Sequence, residues 1–209
     1  MSHMQDIAAP PTDDARRRLR RELRLRRREL SVSARRDAAE RLCRHLRQLP
    51  EIQRANRVAL YLPNDGEIDP TPLIPWLERR GTRVHLPVLK PLSLNQLWFV
   101  HYHAGTPMVV NRYGIPEPET PFGAHRARRT PAWALDVILL PLVGFDDQGQ
   151  RMGMGGGFYD RTLAFTRRPG PRPRLLGLAH DCQRVERLPA APWDVPLDAI
   201  VSDARVIRP

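Results

Sequence analysis

The residues best suited to chemistry lie in one glycine-rich segment, Arg151-Met152-Gly153-Met154-Gly155-Gly156-Gly157-Phe158-Tyr159-Asp160-Arg161. Four of the chain's 13 glycines fall between positions 153 and 157, after an apolar run at 137–143 and before a stretch of helical character at 159–167. Glycine lets the backbone adopt positive φ and bring its N–H groups close to an anion. A helix that follows offers further unpaired N–H groups. The order of strand, glycine loop and helix therefore predicts a phosphate site.

Charged side chains flank these glycines. Arg151 and Arg161 can add positive charge beside a bound anion. Asp160 would repel the anion unless a cation lay between them, so it indicates Mg²⁺. The segment has neither the Lys-Ser/Thr pair of a Walker A sequence nor the spacing of a dinucleotide fingerprint. A glycine-rich hairpin without a ligand is the alternative, although plain turns seldom need three consecutive glycines.

The composition limits the class of protein. The chain has 209 residues, 41% of them hydrophobic, which suits one packed α/β domain. A net charge of +11 calls for an anionic partner, either nucleic acid or a polyanionic small molecule. Lys90 is the only lysine, so nearly all of the basic charge is arginine, which indicates a bias in composition rather than a surface built for nucleic acid. Aromatic residues make up only 6% of the chain, so the sequence lacks the aromatic surface that stacks on single strands. The small molecule is therefore the favoured partner.

The cysteines and the apolar segments indicate the compartment. Cys43 and Cys182 lie far apart without metal-type spacing, which favours a reducing environment and argues against structural zinc. No run of about 18 apolar residues occurs, and no apolar core marks a signal peptide, so we expect no membrane association. We expect a cytoplasmic protein. Residues 1–13 are predicted to be a disordered tail, the first three a cloning remnant, and residues 14–209 a single domain.

Hydrophobic periodicity and capping residues predict three helices before the glycine segment, at 14–30, from a Ser31 or Ser33 cap to Pro50, and from a Thr71 cap to Gly81. Apolar runs predict strands at 57–62, 83–89, 97–102, 136–143, 174–180 and 199–207. We expect the run at 136–143 in the centre of the sheet and the run at 97–102 at an edge. The proline-rich stretch at 104–131 is predicted to form irregular loops.

The order of these elements predicts where a ligand binds. A strand, a helix and a strand across residues 57–89 imply a right-handed crossover and a parallel sheet. Ligands of such sheets bind beyond the carboxyl ends of the strands. Glu67, the glycine segment and the chain after His180 each follow a predicted strand, so we expect them to meet in one cleft.

Six blocks in the same order resemble the 5-formyltetrahydrofolate cyclo-ligases, also called methenyltetrahydrofolate synthetases. The blocks are residues 19–31, 65–69, 113–118, 136–146 running into the glycine segment, 177–183 and 193–198. The resemblance covers about residues 16–201, nearly the whole chain. It implies a single α/β domain with a mostly parallel central sheet flanked by helices on both faces, similar to the NagB/RpiA/CoA-transferase-like fold.

The resemblance also implies a reaction, the ATP- and Mg²⁺-dependent conversion of 5-formyltetrahydrofolate to 5,10-methenyltetrahydrofolate, with ADP and phosphate as products. Transfer of the γ-phosphoryl group to the formyl oxygen would create a leaving group, and attack by N10 would then close the ring. Such chemistry needs positioning and charge neutralisation and no nucleophilic side chain. The implied partners are small molecules, including a polyglutamylated folate, and the expected state is a monomer.

Site residues follow from the positions that match the family's motifs. The matching ATP-binding residues are Arg16, Arg17, Arg18, Leu19, Arg20, Arg151, Met152, Gly153, Met154, Gly155, Gly156, Gly157, Phe158 and Tyr159. Glu67 and Tyr159 match substrate-binding positions, and Asp160 and Asp194 match magnesium ligands. This sequence departs from the family at Arg16, where lysine is common, and at Met154, where an aromatic or basic residue is frequent.

Two further functions are compatible with the sequence. A nucleic-acid-associated protein would use the arginines at 16–28, and a cyclo-ligase paralogue would keep the fold with an altered reaction. Other residues favour structural roles. Trp98 and Phe99 are predicted to pack in the core, His101 and His103 to be surface histidines, and Cys182 to have no nucleophilic role.

Overall fold

The computed structural model describes residues 13–93, 95–120, 129–188 and 194–209. The predicted tail lies outside these residues except for Asp13, where the first helix begins. The helices are α1 (Asp13–Arg28), α2 (Val32–Gln48), α3 (Pro50–Gln53), α4 (Ile74–Arg79) and α5 (Phe158–Thr162). Single turns of 3₁₀ helix cover Thr71–Leu73, Ala132–Ala134, Ala164–Arg167 and Asp181–Gln183.

Eight strands form the central sheet. They are β1 (Arg57–Ala59), β2 (Arg83–Leu89), β3 (Leu97–Tyr102), β6 (Arg129–Thr130), β7 (Val137–Pro141), β10 (Arg174–Ala179), β11 (Ala199–Ser202) and β12 (Val206–Ile207), and their spatial order is β12-β11-β10-β7-β1-β2-β3-β6. The five from β11 to β2 pair in parallel, whereas β12, β3 and β6 run antiparallel to their neighbours. The predicted mostly parallel sheet of a single α/β domain is therefore confirmed.

Strand β7 lies in the interior of this sheet, as predicted for the most apolar run. Val137 and Leu139 face one core, and Ile138 and Leu140 face the other. Because both faces of the strand are covered, apolar residues are needed at every position rather than at alternate ones.

Helices α2, α3 and α4 cover one face of the sheet, with Leu42, Ile52 and Leu77 among their buried side chains. The other face is covered by α5, the 3₁₀ turn after it and the segment around Val195. Ser31 caps α2, as predicted, because its Oγ accepts the N–H of Ala34 at 3.1 Å. Among the residues described, no helix combines the length and the apolar character needed to cross a bilayer.

The structure corrects the prediction of irregular loops at 104–131 for the part of this stretch that it describes, since residues 121–128 lie outside the described ranges. Strands β4 (Met108–Val110) and β5 (Pro116–Pro118) form an antiparallel hairpin, and β6 pairs with the outer side of β3. Strand β3 is therefore not at the edge of the sheet. Prolines at both ends of β5 hid the strand signal, because proline cannot donate to a ladder and normally argues against a strand.

Other boundaries also differ from the sequence prediction. Helix α1 ends at Arg28 rather than at residue 30, β1 ends at Ala59 rather than at residue 62, and β7 covers Val137–Pro141 rather than 136–143. The hairpin of β8 (Gly144–Phe145) and β9 (Arg151–Met152) separates β7 from the glycine loop. The last predicted strand is two antiparallel strands, β11 and β12. Thr71 does not cap a helix with its side chain; instead, its backbone N–H donates to Oδ1 of Asp69 at 2.8 Å, and the helix starts as a 3₁₀ turn.

Helix α1 packs at the carboxyl edge of the sheet. Leu23 is fully buried there, against Gly144 of β8. A Cβ on Gly144 would overlap the Cδ1 atom of Leu23, so the helix can approach the hairpin only because residue 144 has no side chain. This contact brings the arginines of α1 to the side of the sheet where ligands of α/β proteins bind.

Candidate active site

A cleft with a volume of about 1070 Å³ opens at this carboxyl edge. Its wall is formed by α1, the chain after β1, the β4–β5 hairpin, the glycine loop with α5, and Asp194. Pockets for one small ligand usually measure about 300–1000 Å³, so the volume suits two substrates together. Glu67, the glycine loop and Arg16 lie in one cleft as the sequence predicted, and Asp194, from the chain after His180, lines it too.

The glycine loop adopts conformations that require glycine. Gly155 and Gly157 have φ angles of 92° and 66°. The carbonyl oxygen of Gly156 accepts hydrogen bonds from Asn95 Nδ2 at 2.9 Å and from Arg161 Nη1 at 2.6 Å. Because the N–H and C=O of a trans peptide point in opposite directions, these bonds turn the N–H of Gly157 away from Asn95. The direction of the Gly157 N–H is therefore set by hydrogen bonds within the protein.

Helix α5, which follows the loop, has only five residues. The sequence predicted a helix over 159–167, but a 3₁₀ turn replaces its second half. A helix this short adds little dipole, since the aligned peptide dipoles are few. An anion at this position would therefore depend on the loop's own N–H groups and on the arginines around it.

Two arginines of α1 face this loop. Arg16 is buried, and its Nη2 donates to Asp194 Oδ2 at 3.3 Å. Arg20 donates from Nε to the carbonyl oxygen of Gly153 at 3.0 Å. The spacing of four residues places both on one side of the helix. Arg17 also lines the cleft and forms an ion pair with Asp14.

Other residues predicted for ATP divide into two groups. Gly153, Met154, Gly155, Gly156, Gly157, Phe158 and Tyr159 line the cleft together with Arg151. Arg18, Leu19 and Met152 are not in its wall: Arg18 is exposed, Leu19 is half-buried, and Met152 is fully buried in β9. The period of the helix explains Arg18, because this position points away from the face that carries Arg16 and Arg20.

The two predicted metal ligands lie on the same wall of the cleft. Arg151 donates from Nη2 to Oδ1 of Asp160, which also accepts the N–H of Val195 at 3.2 Å. Arg151 Nε donates to the carbonyl oxygen of Val195 at 3.0 Å. These bonds join Asp160 to the residue directly after Asp194, so the fold brings together two carboxylates that are distant in the chain.

The donor set fits Mg²⁺ that arrives with a phosphate. Among the described residues, no group of three or more His, Cys, Asp or Glu side chains is arranged to hold a metal. Mg²⁺ usually binds through one or two carboxylates together with substrate phosphates and water, rather than in an all-protein cage. Asp160 and Asp194, which both line the cleft beside the glycine loop, match that pattern.

Glu67 and Tyr159 also line the cleft. Glu67 Oε2 accepts the N–H of Asn64 at 3.1 Å, and Oε1 lies 3.8 Å from Arg27 Nη2. Burial raises the pKa of Glu67 to about 7, against the opposing charge of Arg27. Burial, and then the charge of Glu67, raise the pKa of Tyr159, which therefore stays a neutral phenol. The pair combines an acceptor that titrates near neutrality with a hydroxyl group.

Asp65 fixes the loop that carries Glu67. Its φ of 54° lies in the left-handed region, and its carboxylate binds Arg24, Arg27 and Arg28 of α1. Burial acts to raise the pKa of Asp65, but the hydrogen bonds from these arginines outweigh it and lower the pKa to about 2. The block at 65–69 was recognisable in the sequence, but no role was predicted for Asp65.

Sequence reasoning also missed the hairpin side of the cleft. Asn111, Tyr113 and Glu117 line it, and the ring of Tyr113 meets Phe158 edge-on with centroids 5.8 Å apart. Glu117 Oε2 accepts the N–H of Leu89 at 3.1 Å and Nδ2 of Asn111 at 2.9 Å. The block at 113–118 was a signal for this wall, but its residues suggested no chemistry. Asn95 had no sequence signal.

The remaining candidate residues are not in the cleft wall. Phe99 is buried in the core as predicted, whereas Trp98 is only half-buried and lies under the guanidinium of Arg129, 3.2 Å from the ring centroid. His101 and His103 are exposed, with ring centroids 6.0 Å apart. Burial raises the pKa of the Cys182 thiol, which is the opposite of what a nucleophile needs.

A mostly parallel sheet with a glycine loop, arginines and carboxylates around one cleft at its carboxyl edge is typical of an α/β enzyme that acts on small molecules. More narrowly, the chain belongs to the 5-formyltetrahydrofolate cyclo-ligase family, whose sequence profile matches residues 12–203. This confirms the family resemblance inferred from the sequence blocks.

Individual relatives agree with that assignment. The chain is 43% identical over 184 residues to 5-formyltetrahydrofolate cyclo-ligase of Escherichia coli K12, a match that covers 88% of this chain and 98% of that protein. It is 41% identical over 182 residues to the Haemophilus influenzae protein of the same name, with 87% and 94% covered. The solution structure of Aquifex aeolicus 5,10-methenyltetrahydrofolate synthetase superimposes with a TM-score of 0.76 at 33% identity and covers 92% of each chain.

Proposed function

We propose that this protein converts 5-formyltetrahydrofolate to 5,10-methenyltetrahydrofolate and releases ADP and phosphate from ATP. One observation carries the proposal: the glycine loop with its arginines and the Glu67–Tyr159 pair share a single cleft at the carboxyl edge of the sheet. A phosphate donor and a folate that bind in the same cleft can be brought into direct contact. Family membership supports the same conclusion.

The chemistry explains why two sites must meet. A formamide oxygen is a poor leaving group, so N10 of the folate cannot expel it as hydroxide at neutral pH. Transfer of the γ-phosphoryl group to this oxygen turns it into a phosphate ester. N10 then attacks the formyl carbon, the new C–N bond closes the ring, the C–O bond breaks, and phosphate leaves while N10 loses its proton. The protein contributes alignment and charge neutralisation.

For ATP we propose that the N–H groups of the glycine loop and the side chains of Arg16, Arg17, Arg20 and Arg151 bind the phosphates. Asp160 and Asp194 would hold Mg²⁺, which when bound neutralises phosphate charge. Arg16 and Arg151 each pair with one of these carboxylates, so the positive groups already lie beside the metal ligands. Arg18, Leu19 and Met152 do not line the cleft and are not part of this assignment.

For the folate we propose that Glu67 accepts hydrogen bonds from the donor edge of the pterin. Glu67 is buried except for the part that faces the cleft, with 12% of its side chain exposed. A buried carboxylate facing ring N–H groups discriminates strongly, because a ligand without donors leaves it unpaired. Tyr159 completes this end of the cleft and adjoins the glycine loop, so it contacts both substrates.

The proposed partners are small molecules: ATP and a folate that carries a polyglutamate tail, whose negative charge suits a chain of net charge +11. Two free cysteines support a cytoplasmic enzyme, and a monomer remains our expectation. A nucleic-acid role for α1 is not favoured, because Arg16, Arg20, Arg24 and Arg27 are directed at partners within the protein. The intact cleft likewise disfavours a paralogue with altered chemistry.

An optical assay tests the proposed function. Protein, MgATP and 5-formyltetrahydrofolate are mixed, and the absorbance of methenyltetrahydrofolate is followed together with released phosphate. We expect one phosphate per methenyl product and no product without ATP. Folded protein that forms no product at any pH or magnesium concentration would contradict the proposal. Salt-dependent RNA binding that ignores a change at Asp160 would instead support the nucleic-acid alternative.

A further inference from the structure

Arg27 lies in an arginine-rich, largely exposed helix, yet its side chain is fully buried. Its Nε donates to the carbonyl oxygen of Asp65 at 2.9 Å, its Nη2 to Asp65 Oδ2 at 2.9 Å, and its Nη1 to the carbonyl oxygen of Leu142 at 3.4 Å. Burial of a charged group is costly unless the group is paired and hydrogen-bonded. These partners therefore tie Arg27 firmly to the loop after β1.

Arg27 also reaches Glu67. Its Nη2 lies 3.8 Å from Glu67 Oε1, whereas Arg24 and Arg28 form their ion pairs with Asp65. In the part of the chain that the structure describes, Arg27 is the arginine that joins both carboxylates. Removal of Arg27 would therefore affect Glu67 in a way that removal of Arg28 would not.

We propose that Arg27 is a positioning residue for the substrate site: it fixes the Asp65–Glu67 loop at the cleft and favours the charged form of the Glu67 carboxylate. This inference rests on the proposed function, because it assigns the charged carboxylate to recognition of the pterin's donor edge. Arg27 does not line the cleft, so it acts through Glu67 rather than by contact with a substrate.

The groups around Glu67 explain why its charge needs support. Arg27 and Arg24 face it from α1, Asp65 from its own loop, Tyr61 from the chain just after β1 and Tyr159 from α5. Burial favours the neutral acid, and Arg27 is the strongest opposing influence. A neutral carboxyl group carries a proton on one oxygen, and this oxygen then donates a hydrogen bond. The group can therefore no longer accept two hydrogen bonds from a donor edge.

Three variants of the full chain test the inference. Arg27→Met removes the charge, and Arg27→Lys keeps the charge but loses the planar guanidinium group. Arg28→Met is the matched control, because Arg28 binds the same Asp65 carboxylate from an exposed position. The carboxyl carbon of Glu67 is titrated by ¹³C NMR, with Glu67→Gln to assign its signal. The KM for 5-formyltetrahydrofolate is measured across pH, and MgATP affinity is measured by calorimetry.

We expect Arg27→Met to raise the titration midpoint of Glu67 by about one pH unit, and to raise the KM for 5-formyltetrahydrofolate about tenfold at neutral pH. MgATP affinity should change less than about twofold, Arg28→Met should behave like the wild type, and Arg27→Lys should lie between the two. A purely structural role would lower thermal stability and change both substrates together, without moving the midpoint.

The outcomes separate the two proposals. An unmoved midpoint in Arg27→Met, or an equal shift in Arg28→Met, overturns the positioning role whether or not the enzyme is active. Wild-type protein that makes no methenyl product overturns the proposed function, and the NMR titration then still decides whether Arg27 controls Glu67. If Arg27→Met does not fold, Arg27→Lys is compared with Arg28→Met. A midpoint and a KM that are raised in Arg27→Lys alone support the positioning role, and values equal to those of Arg28→Met overturn it.

Discussion

Asn95 donates its side-chain amide to the carbonyl oxygen of Gly156 across 2.9 Å. Asn95 belongs to the turn between β2 and β3 and has a left-handed φ of 53°, a conformation that asparagine tolerates better than most residues. The turn of one hairpin thus orients a peptide in the loop that we propose binds phosphate. Changes at Asn95 should affect ATP without affecting the folate.

Asn95→Gly keeps the left-handed backbone and removes only the amide. We expect ATP affinity to fall about fivefold, which corresponds to the loss of one hydrogen bond worth about 1 kcal/mol, while folate affinity stays unchanged. Ser93→Ala is the control, because Ser93 Oγ donates to Lys90 O within the same turn and not to the glycine loop. Equal effects of both changes on ATP binding would show that only the turn's stability matters.

Asp160→Asn tests the metal assignment. We expect turnover to fall by at least about 100-fold, since an amide is a weaker magnesium ligand than a carboxylate and the phosphate charge is then poorly neutralised. Raising the magnesium concentration should recover part of the activity. Asp147→Asn serves as control because Asp147 is exposed and pairs with Arg184 outside the cleft. Full activity of Asp160→Asn would mean that Asp160 is not a metal ligand.

Glu67 predicts a pH dependence of substrate binding. Its pKa is raised to about 7, so the carboxylate is charged above this pH and protonated below it. The KM for 5-formyltetrahydrofolate should therefore fall as pH rises through about 7. Glu67→Gln should have a high KM that no longer changes in this range. A pH profile that is the same in wild type and variant would assign the dependence to another group.

The same shift has a thermodynamic consequence with a definite sign. Folded Glu67 holds its proton up to about pH 7, whereas the unfolded chain loses it near the ordinary value of 4.5. Between these values the native state binds more protons, so this group makes the protein less stable as pH rises, by up to about 3 kcal/mol. Chemical denaturation of wild type and Glu67→Gln at several pH values measures the difference, which should grow from about pH 4.5 to about pH 7 and then stay constant.

Gly144→Ala tests how α1 is seated. The added methyl group would overlap Leu23, and we expect a loss of about 1–3 kcal/mol in unfolding free energy, as for other overpacked sites. The combination with Leu23→Ala should cost less than the sum of the single changes, because the smaller side chain leaves room for the methyl group. Gly105→Ala is the control, since its Cβ would make only ordinary contacts at 3.4 Å. Additive costs would exclude a direct clash.

The sequence predicted those parts of the fold that depend on local pattern. Strand β2 was predicted with its observed bounds, Arg83–Leu89, and the Ser31 cap and the interior position of β7 were also correct. Each of these follows from apolar runs or capping residues that act within a few positions. The glycine loop and Asp160 were recognisable for the same reason, since the loop's chemistry lies in consecutive residues.

The features that were missed depend on where elements dock. Many arginines of α1 have the charge and the donors to bind phosphate. The position of the helix decides that Arg20 contacts the glycine loop and that Arg27 contacts Asp65. Asn95 contacts a residue 61 positions away, and no local sequence pattern predicts this contact. The strand β5 was hidden by its prolines. Burial and long-range pairing, rather than residue type, determined these outcomes.

The bond between Arg16 and Asp194 joins residues 178 positions apart. A ribosome synthesises α1 early, but Asp65, Leu142, Gly153 and Asp194, which pair with its arginines, are made later and in that order. The helix can therefore acquire its contacts only stepwise during translation. The cleft would be complete only after almost the whole chain has been made, so nascent and truncated chains should lack activity even when most of their sheet has formed.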